Sequence, residues 1–176
     1  MAGEEAKDSA ASGNPLWDYT LKIYVRPGVQ DACLALQDQG GADVNLLLFL
    51  CWVAQSGRGR LARAEVQKAM AVVAVWRVQV LKPLRRVRRR LRKDGPPEEA
   101  DLRKKLLKAE LDAERIEQNY LHATMTREPV MLDGTQETRV ADARYNCGIY
   151  FEEGAITLDE ALEASLTALI EEATRD

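Results

Sequence analysis

The sequence holds one histidine, His122, and three cysteines, Cys33, Cys51 and Cys147, among 176 residues. They stand at no recognised metal-ligand spacing, which excludes the usual zinc sites. An odd number of widely spaced cysteines among apolar neighbours reads as packed, reduced thiols and excludes a disulfide frame. There is no Gly-rich phosphate loop, no G-x-S-x-G elbow and no dinucleotide fingerprint. No catalytic residue, cofactor or metal ligand is therefore assigned, and His122 reads as a surface or helix-terminus residue. Proline is scarce, with six in the chain, and clusters of β-branched residues are few. That shortage, with Ala, Leu, Glu, Arg and Lys abundant, excludes a β-fold and favours helix throughout. The longest apolar run, residues 44–54, is about half of the ~20 residues a membrane crossing needs. It predicts a buried core helix in a cytoplasmic protein that does not enter the membrane. Residues 1–14 are acidic and small with no apolar centre, which predicts a disordered tail and not a secretory signal.

What is present is a soluble composition, 46% hydrophobic and 30% charged with a net charge of −3. The length suits one domain. We expect an all-α fold over residues 15–176: a single-domain bundle of about six or seven helices, with a long antiparallel helical hairpin over about 63–124. Asn14-Pro15 starts the first helix, with Trp17, Leu21 and Tyr24 on one face and an end near Arg26. Pro27 opens the second, which carries Val29, Ala32, Cys33 and Leu36 and stops before Gly40 and Gly41. Asp43 caps the third, and Gly57 and Gly59 mark its exit. The hairpin's first arm, residues 64–93, shows Val66, Ala69, Val73, Trp76, Val80, Leu84, Val87 and Leu91 at steps of three and four, with a kink at Pro83. After Pro97 the second arm shows Leu102, Leu106, Ala109, Ala113, Ile116, Tyr120 and Ala123. A loop over 126–138, a short helix ending at Gly154, and a last helix opened by a Thr157/Glu160 capping box complete the chain.

Four polar side chains, Gln37, Asp38, Asp43 and Asn45, surround the glycine pair at the mouth of the apolar run. Asp43 is explained as a cap and Gln37 as a solvent-facing residue, but Asn45 lies in a helix apolar on all sides. A buried Asn needs partners, which Asp38 or an arginine of the hairpin could supply. A structural polar network is favoured there over a ligand site.

The second concentration is residues 82–93, eight cations in twelve residues. Lys82, Arg86, Arg89, Arg90 and Lys93 can share one helix side, and Arg85, Arg88 and Arg92 flank the Leu84/Leu91 seam. Arg86, Arg89 and Arg90 are the candidate anion-binding residues, since such a face can hold phosphates. Glu98, Glu99, Asp101, Glu110 and Glu114 on the opposite arm are candidate ion-pair partners, and a solvated, ion-paired face is the preferred reading. No aromatic residue interleaves the run, so the stacking platform of single-strand binders is missing. Residues 152–176 hold eight acidic residues against one arginine, so the last helix could neutralise the basic arm within one molecule or between two.

The blocks Trp17…Tyr24, Gly28-Val29…Cys33-Leu34…Leu36-Gln37-Asp38, Asp43 to Phe49 with Trp52, Trp76-Arg77…Val80…Pro83-Leu84-Arg85…Arg88 and Ala109 to Arg115 resemble a family of small conserved bacterial proteins of unknown function. The resemblance spans about Leu16 to Leu121, and the D-V-N-L-L-L-F block is its most specific part. It brings no activity, cofactor or partner. It implies that Asp38, Asp43, Asn45, Arg85, Arg88, Glu110 and Glu114 belong to shared motifs, and hence to a shared polar site.

Three functional expectations follow. The first is a non-enzymatic interaction or regulatory module whose hairpin and charged surfaces hold a protein partner or a second copy. The second is a helical-bundle enzyme or sensor in which Arg85 and Arg88 reach the turn cluster and bind an anionic small molecule. The least favoured is nucleic-acid binding through the basic arm.

Overall fold

The computed structural model describes residues 13–130 and 134–176, which form eight α-helices and no strand. The expected tail therefore falls almost wholly outside the described residues. Asn14 is described, and it starts α1 (Pro15–Tyr24): its side-chain oxygen accepts from the backbone N–H groups of Leu16 at 2.9 Å and Trp17 at 3.4 Å. The buried face of α1 is Leu16, Trp17, Thr20 and Ile23, whereas Leu21 is exposed. The second helix, α2 (Val29–Asp38), begins two residues later than Pro27, because Gly28 takes the left-handed conformation at φ 78° as its N-cap.

The glycine pair has two separate causes. Gly41 sits at φ 68°, where a β-carbon is strained, and a β-carbon on Gly40 would meet the Leu36 carbonyl oxygen at 2.7 Å. The turn delivers Asp43 to the start of α3 (Val44–Gln55), where its carboxylate accepts from Asn45 N at 3.1 Å and Leu46 N at 3.3 Å. Every residue of α3 from Val44 to Ala54 is buried. Each large apolar side chain so removed from water stabilises the fold by roughly 1.5–3 kcal/mol. This helix is the axis of the molecule.

The first arm of the hairpin consists of α4 (Arg63–Trp76), a π-helical turn (Arg77–Leu81) and α5 (Lys82–Arg90), so it is not one kinked α-helix. The wide turn, closed by Lys82 N–H donating to the Arg77 carbonyl, ends just before Pro83, which has no N–H to give to an α-helical ladder. Leu81 is buried where Val80 was expected, and α5 buries no residue at all. The second arm is α6 (Pro97–Thr124), about 42 Å long by the α-helical rise. Its buried residues are Glu110, Ala113, Glu117, Gln118 and Leu121.

Of the expected loop, residues 131–133 lie outside the described residues and 136–138 already belong to α7 (Gln136–Glu153), an 18-residue helix where a short one was expected. α8 (Glu160–Ala173) is capped by Asp159, whose carboxylate accepts from Leu162 N at 2.9 Å, and so the Thr157 box is not what starts it. α7 lies on α3, α8 covers α2 and part of α3, and α4 packs between α6 and α7. The core runs from Leu16 through α3 to Ala173, and Cys33, Cys51 and Cys147 are buried free thiols within it.

Candidate functional site

A polar band crosses the bundle from α1 to the hairpin. Thr20 Oγ1 donates to Gln118 Oε1 at 3.0 Å, Gln118 Nε2 to Asn45 Oδ1 at 2.9 Å, and Asn45 Nδ2 to Glu117 Oε2 at 2.5 Å. These four residues are buried, and Glu117 is 0% exposed. The partners of Asn45 are thus Glu117 and Gln118 of α6. Asp38 and the arginines, expected in that role, are engaged elsewhere. Glu117 Oε1 accepts no hydrogen bond. Burial, and after it the charge of Asp43, push the Glu117 carboxyl up to about 8.

Asp43 does more than cap. Its N–H donates to the Tyr150 hydroxyl at 2.8 Å, and its Oδ2 lies 3.3 Å from Arg77 Nε, an ion pair without hydrogen-bond alignment. Arg77, placed by the π-helical turn, also donates through Nη2 to the Gly41 carbonyl at 2.7 Å. Farther along the arm, Arg85 donates to Glu110 at 3.1 Å and to Glu114 at 2.6 Å, and Arg88 donates to Glu110 at 2.5 Å. These partly desolvated pairs tie α5 to α6. Burial holds the Glu114 carboxyl above its ordinary range in spite of Arg85.

Between the glycine turn and the outer side of this arm lies a cleft of about 450 Å3. Gln37, Asp38, Gly41 and Ala42 form one wall. Arg77, Lys82, Arg85, Arg86, Arg89 and Arg90 form the other, six cations facing a single lining carboxylate. That carboxylate, Asp38, pairs with Arg89 and accepts from Gln37 Nε2 at 3.1 Å. Against the cost of burial, Gln37 and Arg89 hold it below its ordinary range. Lys82, Arg86 and Arg90 have no carboxylate within 4 Å among the described residues, and all three are exposed.

Of the residues expected at a site, the structure brings Gln37, Asp38 and Arg85 to the cleft together with Arg86, Arg89 and Arg90. Asp43 stands behind Arg77, Glu110 and Glu114 stand behind Arg85, and Asn45 lies in the interior band. Arg88 is held by Glu110 and is not part of the lining. Among the other expected partners, Glu99 lies 3.6 Å from Arg92, and Asp101 pairs with Lys104 on its own helix. Within one molecule the last helix does not neutralise the basic arm: among the described residues Glu163 faces Arg144, Glu172 faces Arg175 and Asp176 faces Arg139. Residues not singled out from the sequence are Thr20, Glu117 and Gln118. Arg77 and Lys82 were visible only within the longer Trp76-Arg77 block and the basic run. His122 packs on Trp52, ring centres 5.4 Å apart, and does not line the cleft. Among the described residues no group of three or more His, Cys, Asp or Glu is placed to hold a metal ion, and no helix is long and apolar enough to cross a membrane.

A family model matches residues 15–121, well over half of the chain and within one residue of the expected span. The chain belongs to the DUF2390 family. That family is described as a protein of unknown function. No curated protein and no solved structure matches the chain. The DUF2390 match takes in α1 to α5 and nearly all of α6, and so the whole lining of the cationic cleft and the Thr20–Glu117 band. It stops short of α7 and α8, although Tyr150 of α7 reaches Asp43 and both helices contribute to the core.

Proposed function

We propose that this DUF2390 protein is a non-enzymatic binding protein that takes a compact, multiply anionic small molecule, a phosphorylated one above all, in the cleft between residues 37–42 and the basic arm. One observation carries the reading: six cations line one cleft, and Lys82, Arg86 and Arg90 among them have no carboxylate partner among the described residues. Unpaired like charges held side by side repel one another, and an anion placed between them relieves that repulsion while accepting charge-assisted hydrogen bonds. Arg77 and Arg85 line the same cleft and lead to Asp43, Glu110 and Glu114, so a bound anion redistributes charge pairs inside the bundle as a sensor requires. Calorimetric titration with inorganic tripolyphosphate at low salt is expected to show binding that weakens as salt rises. The Arg86→Ala/Arg90→Ala variant should lose at least about tenfold in affinity while its unfolding midpoint stays unchanged, as neither side chain has an ion pair to lose. Absence of binding across a panel of phosphorylated compounds would sink the proposal. Equal affinity for a short oligonucleotide, with a salt slope that falls by roughly one per arginine removed, would move it to nucleic acid.

A second reading, self-association, is favoured by the distal hairpin. Val87, Leu102, Leu107 and Leu111 are 46–49% exposed there, and α5 buries nothing. Two such hairpins laid together would cover their apolar residues as a four-helix bundle. Light scattering is then expected to give a dimer that Leu107→Glu converts to monomer, and a monomer in the unsubstituted protein at tens of micromolar would end this reading.

A further inference from the structure

Arg77 lines two clefts. The second, of about 360 Å3, is walled by Leu46 of α3 and by Met70, Ala71, Val73 and Ala74 of α4, with Asp43 and Tyr150 at the Arg77 end, so an apolar stretch of α4 adjoins the cationic cleft. Arg77 is the shared wall: its guanidinium is fixed on one side by the Gly41 carbonyl and on the other by Asp43 Oδ2, a buried oxygen that accepts no hydrogen bond. At the far end Gln67 Nε2 donates to Glu153 Oε2 at 2.7 Å, and both residues belong to the lining. Arg77 follows Gln67 by ten positions along this arm, so the groove is about 15 Å long by the helical rise. Ala71 and Ala74 are exposed and leave bare backbone along it, with no larger side chain of their own to fill the space.

A cationic cleft and an apolar groove that meet at one arginine match a ligand with a charged head and an apolar tail. We infer that the anion held in the cleft is the head of a soluble single-chain amphiphile, a phosphate ester whose medium-length alkyl or acyl chain lies along the α4 groove beyond Arg77. This rests on the cleft being the anion site. The head pairs with Lys82, Arg86 and Arg90, while the chain leaves water against Leu46, Met70 and Val73. Arg77 stands where head and tail join, and its position there, more than the size of either cleft, sets which end of the ligand goes where.

The test is a calorimetric comparison of three probes on the full chain: methyl phosphate, monododecyl phosphate below its micelle concentration, and dodecyl maltoside, which has the chain without the charge. Monododecyl phosphate is expected to bind at least about tenfold tighter than methyl phosphate, given the area its chain buries, and dodecyl maltoside is expected not to bind. Ala74→Trp, which fills the groove at an exposed helix position, should erase the advantage of the chain and leave methyl phosphate unaffected. Ala71→Glu, which puts a carboxylate beside the chain, serves the same purpose if the tryptophan variant does not fold. Equal affinity for the two phosphates overturns the amphiphile and leaves the anion cleft standing. Failure of both phosphates in a protein that binds tripolyphosphate likewise overturns the amphiphile, and failure of all three anions overturns the cleft itself. Co-sedimentation with phosphatidic-acid vesicles in a protein that ignores monomeric dodecyl phosphate overturns a soluble ligand in favour of a membrane surface.

Discussion

Glu117→Gln is expected to raise the thermal midpoint of the protein at pH 8 and to flatten its dependence on pH between about 4.5 and 8. The carboxyl ionises near 4.5 in an unfolded chain and near 8 in this one. Between those values the folded protein holds a proton that the unfolded chain has released, so stability falls as pH rises. The contribution is whole below the unfolded value and is lost as pH rises through the folded one. Each pH unit between the two values is worth about 1.4 kcal/mol, so the loss by pH 8 is on the order of a few kcal/mol. Glutamine keeps an acceptor for Asn45 Nδ2 and never ionises, so the donor chain from Thr20 stays closed at every pH. Thermal scans from pH 4.5 to 8.5 measure this, and parallel profiles for the two proteins would refute it.

Arg85→Ala is expected to be the most damaging single change in the hairpin. It strips Glu110 of one partner and Glu114 of its cation, in a place where Arg85 and Glu110 side chains are 14% and 8% exposed. Leaving a buried carboxylate without its partner typically costs about 3–5 kcal/mol, far more than the net worth of the intact pair. Adding Glu110→Gln and Glu114→Gln should restore most of the loss, and Arg85→Lys should fall between, because an ammonium cannot offer a fork to two carboxylates. Urea unfolding of the four proteins at pH 7 decides it. A cost below about 1 kcal/mol for the alanine variant would show that water, and not Arg85, satisfies those carboxylates.

Much of the fold could be read from residue order. The apolar run with Asp43 before it marked the start of α3 to the residue, and the Asp94-Gly95-Pro96-Pro97 break marked the hairpin tip, because caps and breakers act locally. The faces of the flanking helices were harder. In α1 the sequence suggests a stripe of Trp17, Leu21 and Tyr24, and the buried one is Leu16, Trp17, Thr20 and Ile23. In α6 it suggests Leu102, Leu106, Ala109, Ala113, Ile116, Tyr120 and Ala123, of which Ala113 alone falls in the buried stripe of Glu110, Ala113, Glu117, Gln118 and Leu121. Both readings follow aromatic residues that cover an edge with their rings while their polar ends stay wet. Both also miss a polar face, since periodicity scores a glutamate as outward whatever its partners. Thr20, Gln118 and Glu117 find their partners only across helices distant in sequence, a complementarity that no single helix announces. The cleft was half legible for the same reason: the cation run was plain, but its opposition to residues 37–42 depends on how the hairpin lies.

The five residues from Arg77 to Leu81 also set the phase of everything after them. A π turn holds one residue more than an α turn, so it rotates the downstream half of the arm by about 100° relative to the upstream half. The stripe of Val66, Ala69 and Val73, continued without interruption, would run on through Val80, Leu84 and Val87 and close a greasy zipper against α6. Shifted by one, it runs through Leu81, Arg85 and Arg88, the residues found facing inward. The same rotation swings Lys82, Arg86, Arg89 and Arg90 towards the glycine turn. A single-residue change of frame inside one helix thus exchanges a hydrophobic zipper for an electrostatic one. It leaves Val87 in water so that the cations have something to face.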